Sequence, residues 1–236
     1  MKVFGNGFLA KNLKKINIPK VFFIYAAGVS NSNLKIKKEY KREIFKFRQT
    51  LKKVNKKRVF VYISSLSVEN KYLKNDLYVK NKLKIENILK NQFENYIIIR
   101  LPQIVGKNKN KNTLTNSIYN FFRNNKKFII WKDSVRNLID IDDINKILEK
   151  YFKKYNYKSS NKKIINIFNP RSIPVLELLQ IFAKLLGKRI NYKLLKKNNK
   201  NINLKSIKSD TLLPKMYYKN LKKKNYIKNV LKKHYL

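Results

Sequence analysis

Cysteine is absent from this sequence, and histidine occurs once, at His234. The first absence removes disulfides, thiol nucleophiles and thiolate zinc clusters. The second argues against a Ser-His triad and against a histidine metal centre, so no metal site is expected. No apolar run approaches the ~18 residues of a membrane span, and the opening MKVFGNG lacks a signal-peptide layout. A cytoplasmic protein without membrane contact is therefore expected. Acidic residues are scarce: 13 Asp and Glu stand against 57 Lys and Arg, a net charge of +44.

That charge invites a nucleic-acid reading. The lysines, however, are spread along the whole chain and mixed with Asn, Ile, Phe and Tyr, all residues that AT-rich codons encode. Biased codon usage accounts for the excess without a nucleic-acid partner. The field itself is real and attracts anions, nucleotide phosphates included, at low salt. What is present is ordinary for a globular protein: 236 residues, 43% of them hydrophobic and 13% aromatic, enough to bury a core.

Short apolar runs alternate with helical patterns from the start, which predicts βαβ units and a parallel sheet. MKVF, VFFIYAAG (21–28), RVFVYISS (58–65) and YIIIRL (96–101) read as strands, and KFIIW and KIINIFN (163–169) as later ones. YKREIFKFRQTLKKV and LYVKNKLKIENILK read as helices, the latter capped at Asn75 or Asp76. KNKNKNTLTN reads as a loop, SIYNFFRNN as a helix, NLIDI as leading into a helix opened by Asp142, and NNKNINLKSIKS as ill-defined polar chain. PVLELLQIFAKLLG (174–187) is an amphipathic helix ended by Gly187, and NYIKNVLKKHYL a last helix.

Two stretches carry chemistry. VFGNGFLAKNL sets Gly5, Gly7 and Ala10 between strand and helix in the G-x-G-x-x-G/A pattern. The first glycine permits a tight turn, the second lets backbone approach a pyrophosphate, and a small third residue lets helix pack on strand. The second stretch holds Tyr78 and Lys82, four apart and hence on one helical face. Chance alone predicts roughly three such pairs in so lysine-rich a chain. Three occur: Tyr78/Lys82, Tyr192/Lys196 and Tyr218/Lys222. The first alone follows a serine-bearing strand, 13 residues after Ser65. An ammonium near a phenol favours phenolate, a usable base for a hydroxyl near neutral pH.

Taken in order, these segments resemble the extended short-chain dehydrogenase/reductase family, in particular its NAD-dependent nucleotide-sugar epimerases and reductases. The resemblance spans nearly the whole chain and implies a Rossmann-like, doubly wound parallel α/β sheet with a small C-terminal substrate lobe. It implies a cofactor domain over 1–170, with 107–135 contributing to the substrate side, and a substrate lobe over 171–236. GNGFLA, with Gly5, Gly7, Phe8 and Ala10, is similar to the cofactor loop, and FIYAAG offers Ala26 and Ala27 beneath the cofactor. VYISSLSVE places the catalytic serine at Ser65, and YVKNK places the catalytic pair at Tyr78 and Lys82, the lysine also facing the cofactor. RLPQIVG puts Pro102 beside the nicotinamide and Gln103 at a substrate-contacting position. RNLIDIDDI places Arg136 where the family's arginine meets the nucleotide diphosphate, whereas Asp142 and Asp143 read as a helix start.

Two departures accompany the likeness. About ten residues separate FLA from VFFIY, where the family has two further strands with their helices. The usual second and third strands are therefore expected to be missing, and with them the carboxylate that holds the adenine ribose, since no Asp or Glu precedes Glu39. Lys11, Lys14, Lys15 and Lys20 lie nearby instead, leaving NAD and NADP equally open. An edge strand so exposed needs a cover, and homo-oligomerisation is one. Second, Leu66 and Ser67 follow Ser65 where sugar 4,6-dehydratases carry an Asp-Glu pair. The expected activity is thus an NAD(P)-dependent nucleotide-sugar epimerase or ketoreductase, of the kind that feeds surface polysaccharide. The competing classes are a non-catalytic nucleotide-binding relative and a basic nucleic-acid-binding protein.

Overall fold

The computed structural model describes residues 3–29, 31, 36–108, 110–124, 128–155, 162–196, 204, 207 and 215–236. Its strands are β1 Val3–Phe4, β2 Phe22–Tyr25, β3 Val59–Ser65, β4 Tyr96–Leu101, β5 Gln103–Val105, β6 Phe128–Trp131, β7 Val135–Arg136, β8 Leu138–Asp140, β9 Lys162–Asn166, β10 Ile173–Pro174 and β11 Tyr192–Leu195. Its helices are α1 Phe8–Leu13, α2 Lys37–Lys53, α3 Leu77–Gln92, α4 Leu114–Arg123, α5 Ile141–Lys154, α6 Val175–Leu186, α7 Lys215–Leu221 and α8 Tyr226–Tyr235. The chain forms two compact units interleaved in sequence. One is Met1–Leu101 with Asp142–Ile167 and Ile202–Pro214; the other is Pro102–Ile141 with Phe168–Asn201 and Lys215–Leu236. The sequence alone places a boundary at residue 170, with 107–135 contributing to the substrate side.

The first unit is built on a five-stranded sheet in the order β1-β2-β3-β4-β9, parallel throughout. β1 pairs directly with β2, Val3 opposite Ile24, so no described strand fills the place of the family's second and third. Both faces are covered, which is why the strands read as unbroken apolar runs. On one face Phe47 and Leu51 of α2 and Ile85 and Leu89 of α3 pack over Phe23, Tyr25, Phe60 and Tyr62. On the other, α5 brings the Phe152 ring to 4.7 Å from that of Phe22.

A buried ionic network ties α3 to the sheet. Glu86 is 0% exposed and accepts from Ser64 Oγ at 2.6 Å and from Arg100 Nε at 3.0 Å and Nη2 at 2.5 Å. Arg100 also pairs with Glu69, which accepts from Asn166 Nδ2 at 3.1 Å. Burial works to lower the arginine's pKa, but the bonds and charges of Glu86 and Glu69 outweigh it and leave the pKa raised.

In the second unit β5 and β8 run parallel, β7 and β10 antiparallel, and β6 and β11 parallel. Its core joins Phe121 and Phe122 of α4 to Leu178 and Phe182 of α6 and Leu231 and Tyr235 of α8. The single histidine has a structural place there: His234 Nε2 lies 2.7 Å from Asp140 Oδ1, and Lys233 Nζ donates to Asp140 Oδ2 at 2.7 Å. Gly187 ends α6 in the left-handed conformation, φ 62°, as the sequence predicts.

Some boundaries move. α4 starts at Leu114, inside the stretch read as loop, and Asp142 lies within the first turn of α5 rather than opening it. Most of NNKNINLKSIKS lies outside the described residues. No described helix is long and apolar enough to cross a membrane.

Candidate active site

The candidate residues of the first unit gather at the carboxyl ends of its parallel strands, where ligands bind in open α/β sheets. β1 runs straight into Gly5, whose φ of +133° only glycine adopts without strain. A Cβ there would stand 2.5 Å from the Ala26 carbonyl oxygen and 3.0 Å from Ala10 Cβ. Gly5 and Ala10 thus let turn, strand β2 and helix α1 approach closely, and Ala26 N–H closes the turn onto Phe4 O at 2.8 Å. Gly7 differs. It is extended, φ −72° and ψ 174°, and a Cβ on it would meet nothing within 4 Å among the described residues. No side chain caps α1 behind it, so the first amides of the helix, from Phe8 on, carry no side-chain acceptor. Of the four nearby lysines, Lys14 folds onto the turn, Nζ donating to Gly5 O at 2.8 Å. Ala26 and Ala27 follow β2, small and half-buried.

Ser65 ends β3 opposite Leu101 of β4, and its half-buried Oγ accepts from Ser67 N–H at 3.2 Å. Asp76, not Asn75, then caps α3, accepting from the amides of Tyr78 at 2.9 Å and Val79 at 3.2 Å. Tyr78 is half-buried in the first turn. Lys82, one turn on, points inward: it is 3% exposed, with Nζ 5.3 Å from the centre of the Tyr78 ring. The same Nζ lies 2.9 Å from Glu43 Oε1, and Glu43, 4% exposed, accepts at Oε2 from Asn81 Nδ2 at 2.8 Å. A Cβ on Gly28 would fall 2.4 Å from Lys82 Nζ and 2.7 Å from Glu43 Oε1. The absent side chain at 28 therefore makes room for the ion pair.

Glu43 escaped the sequence reading. Its signal was present: on α2 the buried positions are Tyr40, Glu43, Phe47, Thr50 and Leu51, so a carboxylate stands in an apolar stripe. Tyrosines surround it. Burial, and then the Glu43 charge, raises the pKa of Tyr25 and of Tyr62, whose buried Oη has no hydrogen-bond partner among the described residues.

Pro102, Gln103 and Arg136 belong to the second unit. Pro102 is half-buried between β4 and β5. Gln103 N–H donates to Asn137 O at 3.2 Å, which brings Gln103 beside the residue that follows Arg136. Arg136 is exposed, and desolvation by nearby protein lowers its pKa. It donates to Val135 O at 2.9 Å, and no carboxylate among the described residues pairs with it. After Ser65, Leu66 is buried, and the first carboxylate, Glu69, is engaged by Arg100.

No protein-family model matches the sequence. No curated protein matches it either. Solved structures do share its fold. The dTDP-4-dehydrorhamnose reductase of Bacillus anthracis str. Ames, in complex with NADP, superposes with a TM-score of 0.66 at 14% identity over 83% of each chain. UDP-N-acetylglucosamine 4-epimerase of Methanobrevibacter ruminantium M1 gives 0.62 at 17%, over 89% of this chain and 74% of that one. The dTDP-glucose 4,6-dehydratase of Bacillus anthracis str. Ames, in complex with NAD, gives 0.60 at 16% over 75% of this chain, which spans 60% of that protein's length. At such identities the likeness establishes architecture, and the chain has the Rossmann-like α/β fold that these reductases, epimerases and dehydratases share.

Proposed function

We propose that this protein is an NAD(P)-dependent nucleotide-sugar epimerase or ketoreductase serving surface-polysaccharide assembly. One connected set of contacts carries the reading. Gly5 abuts Ala26, Gly28 two residues on abuts Lys82, and Lys82 stands 5.3 Å from the Tyr78 ring. The glycine turn and the Tyr-Lys helix thus converge on the end of one strand. The fold of the reductase solved with NADP and of the dehydratase solved with NAD supports the cofactor assignment.

The residues fit a dinucleotide at its pyrophosphate. Gly7 leaves open the space a side chain would fill, so Gly5, Gly7 and Phe8 can present backbone to phosphate, with Ala10, Ala26 and Ala27 keeping the floor low. Lys82 would face the nicotinamide half. When bound, the dinucleotide would supply the hydride chemistry of a sugar oxidation or reduction. The chain's own residues manage the proton. Tyr78 Oη takes it from the sugar hydroxyl in the oxidative direction and returns it in the reductive one, and Ser65 Oγ hydrogen-bonds the same sugar oxygen. Arg136 would bind the diphosphate and Gln103 the sugar. Dehydration is disfavoured, because no carboxylate stands at Leu66 or Ser67 to carry its extra proton transfers.

Calorimetry at moderate salt tests the assignment. Heat is expected with NAD or NADP and with a UDP- or TDP-sugar; heat from none of them overturns it. The two glycines should separate by mechanism. Gly7→Ala is expected to keep stability within about 0.5 kcal/mol while weakening cofactor binding on the order of tenfold. Gly5→Ala should lower the melting temperature as well, since its Cβ collides with backbone. Equal melting temperatures for the two variants would contradict this division.

A further inference from the structure

We infer that Glu43 is a positioning residue of this site, holding the Lys82 ammonium beneath Gly28 and cancelling its charge, so that an ion pair, not a lone cation, faces Tyr78. The inference rests on Tyr78 being the proton-transfer residue proposed above. It starts from burial. A lysine and a glutamate this deep are each costly to desolvate, and a contact of 2.9 Å is what makes both tolerable. The carboxylate is fixed from its other oxygen by Asn81, and the ammonium lies 5.9 Å from the Tyr62 ring as well as 5.3 Å from that of Tyr78. The acid comes from α2 and the base from α3, so the pair also sets how the helix bearing Tyr78 is anchored.

The electrostatic consequence differs from that of the bare Tyr-Lys pair. A free ammonium about 5 Å from a phenol strongly favours phenolate. With a carboxylate against that ammonium, Tyr78 sees a dipole whose field falls off faster than a charge's. Glu43 therefore tunes the pH at which Tyr78 becomes a base. The other groups facing this spot are Tyr25 of β2, Tyr62 of β3, Tyr40 of α2 and Asp76 at the start of α3. Burial raises the pKa of all three tyrosines. Asp76 is occupied with the helix amides.

The test reads Tyr78 directly, without turnover. Protein carrying carbon-13 at the tyrosine phenol carbon is titrated from about pH 7 to 11, and the Tyr78 resonance is assigned by its loss in Tyr78→Phe. Glu43→Gln keeps the shape and one acceptor oxygen but removes the charge and turns the other oxygen into a donor. It is expected to move the Tyr78 titration toward acid by about one pH unit, and the rising limb of the pH–rate profile with it. Gly28→Ala keeps both charges and drives them apart with a Cβ, and should shift the midpoint the same way by less. Should Glu43→Gln fail to fold, Gly28→Ala decides alone. Coincident Tyr78 titrations in wild type and the folded variants overturn the inference. A wild type that binds neither NAD nor NADP would remove the proposed enzyme yet leave this titration readable, so the two failures are distinct.

Discussion

Phenylalanine in place of Tyr78 is expected to lower turnover by about two to four powers of ten, the range that a positioned acid-base group contributes. Cofactor and nucleotide-sugar affinities should stay near those of the wild type. The substitution deletes one oxygen from a half-buried ring and leaves its surroundings in place. The helix start is held by Asp76 through backbone amides that phenylalanine retains. The ring still offers its face to Lys82 Nζ, 5.3 Å from its centre. Single-turnover measurements beside calorimetry therefore separate chemistry from binding. Turnover surviving within tenfold would mean that another group moves the proton. Loss of affinity along with rate would make Tyr78 a scaffold residue. A non-catalytic nucleotide-binding relative would have no turnover to lose.

The second large effect concerns stability. Arg100→Met should destabilise the fold by about 3–5 kcal/mol, the usual consequence of leaving a buried charge without its partner. For a chain of this size that lowers the melting temperature by roughly 6–20 °C. Glu86, 0% exposed, would keep Ser64 as its hydrogen-bonding partner in the network, and Glu69 would keep Asn166. Adding Glu86→Leu to Arg100→Met should restore most of the loss, because an apolar pair of similar volume carries no desolvation cost. Urea denaturation of the single and double variants measures both. A double variant no more stable than the single would place the loss in packing rather than in charge.

The core of the first unit was legible because parallel strands buried on both faces cannot hide their composition. VFFIY, RVFVYISS and YIIIRL each appear as a strand of one sheet, and the direct pairing of β1 with β2 matches the missing stretch between FLA and VFFIY. The G-x-G-x-x-A turn was legible for a related reason: Gly5 has a positive φ that few residues tolerate, so its identity is written in the chain. What escaped was set by tertiary contact. The two-residue strands β7 and β10 are too short to show a period. β6 and β11 bear exposed apolar residues such as Ile129 and Leu194, so β11 resembles surface rather than sheet. Glu43 escaped because an acid in a lysine-rich helix looks like surface charge until its stripe is counted. Ser65, Tyr78 and Lys82 fall in one unit and Gln103 and Arg136 in the other, a partition that interleaved segments conceal from any linear reading.

The two-residue strand at the sheet's border has a consequence for the cofactor binding proposed above. Among the described residues Val3 and Phe4 have β2 as their one strand neighbour, and the glycine turn hangs directly from them. Border backbone with a single ladder opens at less cost than the interior strands do. The turn is then expected to breathe more readily than the interior strands β3 and β4. Occupancy and order at that turn would then be a single event: a dinucleotide lodged against Gly7, as proposed, would also stitch the margin of the sheet closed.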